Sequence, residues 1–96
     1  MDEILKLGPV LDLKAATPLQ AALLARRGHA VEIDASEVQR LGGLCLQVLL
    51  SAHKTWADDG APFGLAPRSD AFNEALKLFG AETRFDESRL ESIGVK

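Results

Sequence analysis

The stretch AVEIDASEVQRLGGLCLQVLLSAHKTWADD, residues 30–59, decides the fold because its apolar spacing changes midway. In residues 30–34, Val31 and Ile33 alternate with acidic residues, which is typical of a half-buried strand. From about Leu44 to about Asp58 the apolar residues recur at helical spacing, so we predict a helix there. A strand followed by a long amphipathic helix indicates an α/β fold.

This predicted helix, the second of the chain, is apolar over more than half of its circumference. One stripe is expected to face the core, and it consists of Leu41, Cys45, Val48, Leu49, Ala52 and Trp56. A second stripe runs beside it and consists of Leu46, Leu50, His53 and Ala57. The second stripe either packs beneath the first helix or the C-terminal tail, or forms a docking ridge for a partner protein.

Upstream, two short apolar runs flank Gly8-Pro9, at residues 4–7 and 10–13. They predict two strands joined in an opening hairpin. Thr17 is expected to begin the first helix, with Pro18 at the first helical position and Gln20 completing a capping box.

Downstream, residues 61–66 predict a strand that contains Phe63 and Leu65. Ser69 is the expected N-cap of a third helix, and Gly80 is expected to end it. The apolar stripe of this helix is Phe72, Leu76 and Phe79. Residues 84–85 are interpreted as a last short strand, and residues 86–93 as a terminal helix docked by Leu90 and Ile93.

Strands therefore alternate with helices along the whole chain. This order predicts an α/β domain with a mixed, largely parallel sheet of four to five strands and about four helices. A chain of 96 residues is long enough for one domain, which we expect to span residues 1–96.

Composition and charge exclude several classes of function. The net charge is −3, and the sequence contains no run of Lys or Arg residues. We therefore expect neither a nucleic-acid partner nor a polybasic membrane anchor. No apolar run is long enough to span a bilayer, and the acidic N-terminus does not resemble a secretory signal. The single cysteine, Cys45, suits a reducing compartment. A cytoplasmic protein is expected.

The joint pattern resembles the STAS domain family, which is typified by anti-sigma-factor antagonists. Residues 33–38 correspond to the family's strand that ends in Asp or Asn, here Asp34 followed by Ser36. Residues 41–50 occupy its signature, which reads Asp-Ser-Ser-Gly-Leu at the start of the second helix. The following strand and the third helix are matched by Phe63-Gly64-Leu65-Ala66 and by Ser69, Phe72, Leu76 and Phe79-Gly80.

The chain departs from the family at the signature itself. The usual Asp falls on Gly42, and the serine that a partner kinase phosphorylates falls on Gly43; the next serine falls on Leu44 and the glycine on Cys45. The standard phosphorylation switch is therefore not expected at Gly43. A glycine there also leaves the backbone N–H groups of the helix N-terminus unshielded, where an anion or a partner's carboxylate has access.

The resemblance implies a non-catalytic regulatory adaptor that binds a signalling protein, with a chemotaxis-type histidine kinase or an anti-sigma factor as the first expectation. The second helix and its N-terminal loop would form the binding face: Gly42, Gly43, Leu44, Leu46, Gln47, Leu50 and His53. One alternative is the STAS subunit of a lipid-transport ABC complex, bound to its ATPase. Another is a nucleotide or small-ligand module at Gly42-Gly43.

The residues themselves give little support to catalysis. Cys45 and His53 lie two turns apart on one helix, too far for a nucleophile–base pair. Asp34 is interpreted as a strand-end residue that caps the following turn, and the alternative is a general acid or base. Ser36 is interpreted as a turn residue, and the alternative is a phosphate acceptor. Two histidines and one cysteine are too few for a zinc site without carboxylates. No enzyme, metal or cofactor is expected.

Overall fold

The structure is a computed structural model that describes residues 3–86. Residues 3–86 contain five strands, three α-helices and two short 3₁₀ helices, the last two at Leu13–Ala15 and Arg84–Asp86. The strands are β1 (Glu3–Lys6), β2 (Val10–Leu11), β3 (Val31–Ala35), β4 (Arg40–Leu41) and β5 (Phe63–Arg68). The helices are α1 (Ala16–Leu24), α2 (Gly43–Asp59) and α3 (Asp70–Leu78). The predicted α/β class is confirmed.

The described strands form two sheets, in which all three strand pairings are parallel. The larger sheet has the order β1-β3-β5, with Leu5 opposite Ile33 and Ile33 opposite Leu65. The smaller sheet pairs β2 with β4. The predicted opening hairpin is wrong, because β1 and β2 each pair with a strand that comes later in the chain. The Pro9 carbonyl accepts hydrogen bonds from the N–H groups of Gln39 and Arg40, which draws this segment toward β4.

The core lies between the larger sheet and the helices. Val31, Ile33 and Ala35 alternate with more exposed residues along β3, as its period of two predicts. Leu49 and Trp56 of α2 belong to the same buried core cluster, with 0% and 1% of their surface exposed. The Trp56 indole Nε1–H donates to the His29 carbonyl oxygen at 2.8 Å, so the one buried polar group of this side chain has a partner.

The start of the first helix differs from its prediction. Asp12 caps the first 3₁₀ helix, and its carboxylate accepts the N–H groups of Lys14 and Ala15 at 3.1 and 3.2 Å. That helix leads directly into α1, whose N-cap Ala15 has no side-chain capping bond. The capping box expected at Thr17 is therefore wrong, because α1 begins one residue earlier and Thr17 lies inside it. The Ala16 N–H donates to the Leu13 carbonyl oxygen of the preceding turn.

The third helix agrees with its prediction at both ends. The Ser69 hydroxyl accepts the Phe72 N–H, and Gly80 follows the helix in a left-handed conformation with φ of 70°. The short strand expected at residues 84–85 is wrong: this segment is a 3₁₀ helix, in which the Arg84 N–H donates to the Ala81 carbonyl oxygen. The terminal helix expected at residues 86–93, with Leu90 and Ile93, lies outside the described residues except for Asp86.

Candidate partner-binding site

The two glycines before α2 have different surroundings. The Gly42 N–H donates to the Leu11 carbonyl oxygen at 2.8 Å, so this residue is held against β2. A Cβ atom on Gly42 would lie 3.2 Å from the same oxygen, which is tighter than ordinary van der Waals contact. The small sheet therefore fixes the point at which α2 begins, and glycine allows the close approach.

Gly43 is the first residue of α2, and it is exposed. A Cβ atom there would lie 3.6 Å from the Phe79 ring, an ordinary contact, so a side chain fits at this position. Its neighbour Gly42 is the N-cap and has no side chain to satisfy the free N–H groups of the first turn. The position expected for the switch serine thus faces the end of α3 across a gap.

A groove of about 590 Å³ lies at this point, between the N-terminal half of α2 and the turn after α3. Its lining residues are Gly43, Leu44, Leu46, Gln47 and Leu50 on one side, and Phe79, Gly80, Ala81 and Arg84 on the other. Five of the seven residues expected to bind a partner therefore line one concave surface. We call it the α2–α3 groove.

Two large apolar side chains are exposed at the α2–α3 groove. Leu44 and Phe79 are each 49% exposed, and they stand on opposite sides of the groove. Leu13, in the first 3₁₀ helix, is also exposed but does not line the groove. Contiguous exposed apolar side chains of this size mark interaction sites more often than scattered ones do.

The predicted docking ridge on the second stripe of α2 needs correction. Leu46 is only 5% exposed and belongs to the core, while Leu50 and His53 are half-buried. The His53 ring meets the edges of Phe63 and Phe85 with centroid separations of 5.4 and 5.5 Å. His53 of this stripe thus packs against β5 and the second 3₁₀ helix, and not against the first helix, which was one of the two covers expected for it; the C-terminal tail, the other, lies largely outside the described residues.

Phe79 is a site residue that the sequence analysis placed in the core. It lies just after the last residue of α3 as its C-cap, where the chain turns at Gly80. At that position its side chain is half-exposed and faces Gly43 rather than joining Phe72 and Leu76 in the core. Its place directly before a helix-ending glycine is the sequence signal that it lies at the C-cap, beyond the last helical residue.

The strand-end residues form a local turn. The Asp34 carboxylate accepts the Ser36 backbone N–H at 2.9 Å, the geometry of an Asx turn. Hydrogen bonds from the Ser36 hydroxyl and backbone hold the pKa of Asp34 below its usual value. This is the structural role favoured by the sequence, and the turn leads the chain from β3 toward β4.

Cys45 is buried in the first turn of α2, and its Sγ donates to the Asp12 carbonyl oxygen at 3.3 Å. Burial raises the pKa of this thiol, and the nearby Asp12 acts in the same direction. A neutral thiol is a poor nucleophile and metal ligand. In the part of the chain that is described, no three His, Cys, Asp or Glu side chains gather as a metal ion would require.

The family of the chain follows from a comparison with known proteins. Among residues 3–86, no helix combines the length and apolar character needed to cross a bilayer. No curated protein matches the chain. The family model described as "Mlab, STAS domain" matches residues 2–92, nearly the full length of the chain. The chain therefore belongs to the STAS domain family.

Proposed function

We propose that this protein is a non-catalytic regulatory adaptor that binds another protein through the α2–α3 groove. STAS domains are typically protein-interaction modules. The observation that carries the proposal is the pairing of Leu44 with Phe79 across the groove. Each half-exposed side chain lies on a rigid helix end, and docking would remove both from water.

The binding face consists of the residues that are accessible at the groove: Gly43, Leu44, Gln47 and Phe79, with Leu50 contributing part of its side chain. Leu46 supports the wall from within the core, and His53 supports the far end of α2. Gly42 sets the start of the helix.

Regulation would not use phosphorylation at Gly43, since glycine has no hydroxyl. The protein would instead act stoichiometrically in the cytoplasm, and it would shift its partner between two states by the difference between its affinities for them. The family resemblance favours a chemotaxis-type histidine kinase or an anti-sigma factor as the partner. The ATPase of a lipid-transport ABC complex is the alternative.

The first experiment is affinity capture with the purified protein, using lysate of its native source, and with Leu44→Glu as the test variant. Leu44 is the second residue of α2, where a carboxylate interacts favourably with the helix dipole, so the variant should fold. The matched control is Leu78→Glu, the same substitution at a leucine that is 85% exposed and does not line the groove.

A signalling kinase or sigma regulator retained by the wild type and by Leu78→Glu, but lost with Leu44→Glu, would support the adaptor and its face. A transport ATPase with the same pattern would favour the alternative partner. A partner retained equally by all three proteins would contradict the groove as the binding site. Binding of GTP or ATP, seen as a thermal shift that Leu44→Glu leaves unchanged, would instead favour a nucleotide module.

A further inference from the structure

Two glycines line the α2–α3 groove, and the backbone explains only one of them. Gly80 has a φ of 70°, a left-handed conformation in which glycine is strongly favoured. Among residues 3–86, the other positive φ angles belong to Gly28 and Gly60, so Gly43 is not in that conformation. As the first residue of α2, Gly43 has a place in a helix that alanine would suit better.

Packing does not require a glycine at this position either. A Cβ atom on Gly42 would lie 3.2 Å from the Leu11 carbonyl oxygen, which explains that glycine. A Cβ atom on Gly43 would lie 3.6 and 3.8 Å from two carbon atoms of the Phe79 ring, an ordinary van der Waals contact. A methyl group would therefore fit at Gly43, and it would fill the space in front of the ring. A glycine that neither backbone nor packing explains is expected where another molecule comes close to the backbone.

The space between the Gly43 backbone and the Phe79 ring is called the Gly43 notch. The two large side chains that stand beside it, Leu44 and Phe79, are both apolar and half-exposed. An apolar side chain that entered the notch would take both of them out of water. A polar or charged side chain would lose its own hydration against these surfaces, which is unfavourable without a hydrogen-bond partner.

We infer that Gly43 is a specificity-determining residue of the α2–α3 groove: its missing side chain leaves a notch against the Phe79 ring that an apolar side chain of the partner protein enters. This inference rests on the proposed function and names the chemistry that the partner brings to the groove. Glycine at the start of α2 makes the helix less stable than alanine would, and binding benefits from the space. The same substitution should therefore move stability and affinity in opposite directions.

The probes for the test are random peptides of about 12 residues, long enough for about three helical turns. They are selected by display on the full-length wild type and counter-selected on Leu44→Glu. Their affinities for the wild type, Gly43→Ala and Gly8→Ala are then measured by fluorescence anisotropy. Gly8→Ala is the matched control, because it adds the same methyl group away from the groove, where no described atom lies within 4 Å.

We expect the selected peptides to share a Leu, Ile, Met or Phe residue. Gly43→Ala should bind them about tenfold more weakly, because the methyl group fills the notch, and Gly8→Ala should bind them like the wild type. Urea unfolding of the same proteins excludes partial unfolding as the cause if Gly43→Ala is at least as stable as the wild type. Affinity that Gly43→Ala leaves unchanged or increases, or peptides without an apolar residue, would overturn this inference and leave the proposed function standing.

Phe79→Leu tests whether the methyl group acts through the notch. In the Phe79→Leu background, Gly43→Ala should weaken binding by only about twofold, because the opposite wall is smaller and the two effects are coupled. An equal loss in both backgrounds would show that the methyl group acts elsewhere, and would overturn the inference. If every peptide selected on the wild type also bound Leu44→Glu equally well, the groove itself would be contradicted, and with it the proposed function.

Discussion

At the residue scale, the two glycines before α2 are expected to respond oppositely to alanine. Gly43→Ala should raise the free energy of unfolding by about 0.5 kcal/mol, because the position is helical and has room for Cβ. Gly42→Ala should lower it by about 1 kcal/mol or more, because its Cβ would press on the Leu11 carbonyl oxygen. Urea unfolding followed by Trp56 fluorescence measures both, and equal effects would contradict the assigned environments.

Cys45 gives a second prediction at this scale. Because burial raises the pKa of its thiol, the native protein should react with a thiolate-selective disulfide reagent far more slowly than the urea-unfolded protein. The native rate should fall further when stability is increased by Gly43→Ala, if labelling follows unfolding. Rapid labelling of the native protein would show that the first turn of α2 opens, and would contradict the buried position of Sγ.

At the scale of the elements, Ser69 links the segment between β3 and β4 to α3. Its hydroxyl accepts the Phe72 N–H at 3.0 Å and donates to the Val38 carbonyl oxygen. Ser69→Ala should therefore lower the free energy of unfolding by about 1–2 kcal/mol, since it removes an N-cap and leaves a carbonyl without its donor. Chemical denaturation of the two proteins gives the difference.

Ser51→Ala is the matched control, because Ser51 is exposed in the middle of α2. It should change the free energy of unfolding by no more than about 0.5 kcal/mol. If both serine variants lost the same stability, the cap at Ser69 would not be the cause. Ser69→Ala could also weaken partner binding by more than its loss of stability explains. That result would show that the N-terminus of α3 is coupled to the groove at its C-terminus.

At the scale of the whole molecule, two carboxylates make the free energy of unfolding depend on pH in the acidic range. The pKa of Asp34 is lowered by hydrogen bonds from Ser36, and that of Asp59 by Arg27, whose Nε lies 2.9 Å from Asp59 Oδ2. The stabilisation that each ionised carboxylate contributes to the folded protein is fully present above the ordinary pKa of 3.8. It is lost as the pH falls through the lowered pKa. Stability should therefore decline as pH falls below about 5.

The measurement is the urea midpoint between about pH 5 and pH 2 for the wild type, Asp34→Asn and Asp59→Asn. Each variant should start less stable at pH 5 and lose less on acidification. The effect at Asp59 is expected to be small, because its arginine partner is largely exposed. Parallel pH profiles for all three proteins would contradict the lowered pKa values.

Much of the fold follows from the sequence because the deciding signals are local. β3 and α2 were predicted within one or two residues, since the apolar period is a property of consecutive residues. The Ser69 cap and the left-handed Gly80 were also predicted, because each depends on a single backbone conformation. The same residues supported the STAS resemblance, which the family match confirmed.

The pairing of the strands and the shape of the site were decided only by the tertiary structure. β1 and β2 were expected to pair with each other, but each pairs with a strand about 28–30 residues later, as Glu3 does with Val31 and Val10 with Arg40. Leu46 is buried and Phe79 is half-exposed, although both are apolar residues that recur at helical spacing. The physical reason is that periodicity gives the apolar side of an element, whereas burial depends on which distant segment covers it.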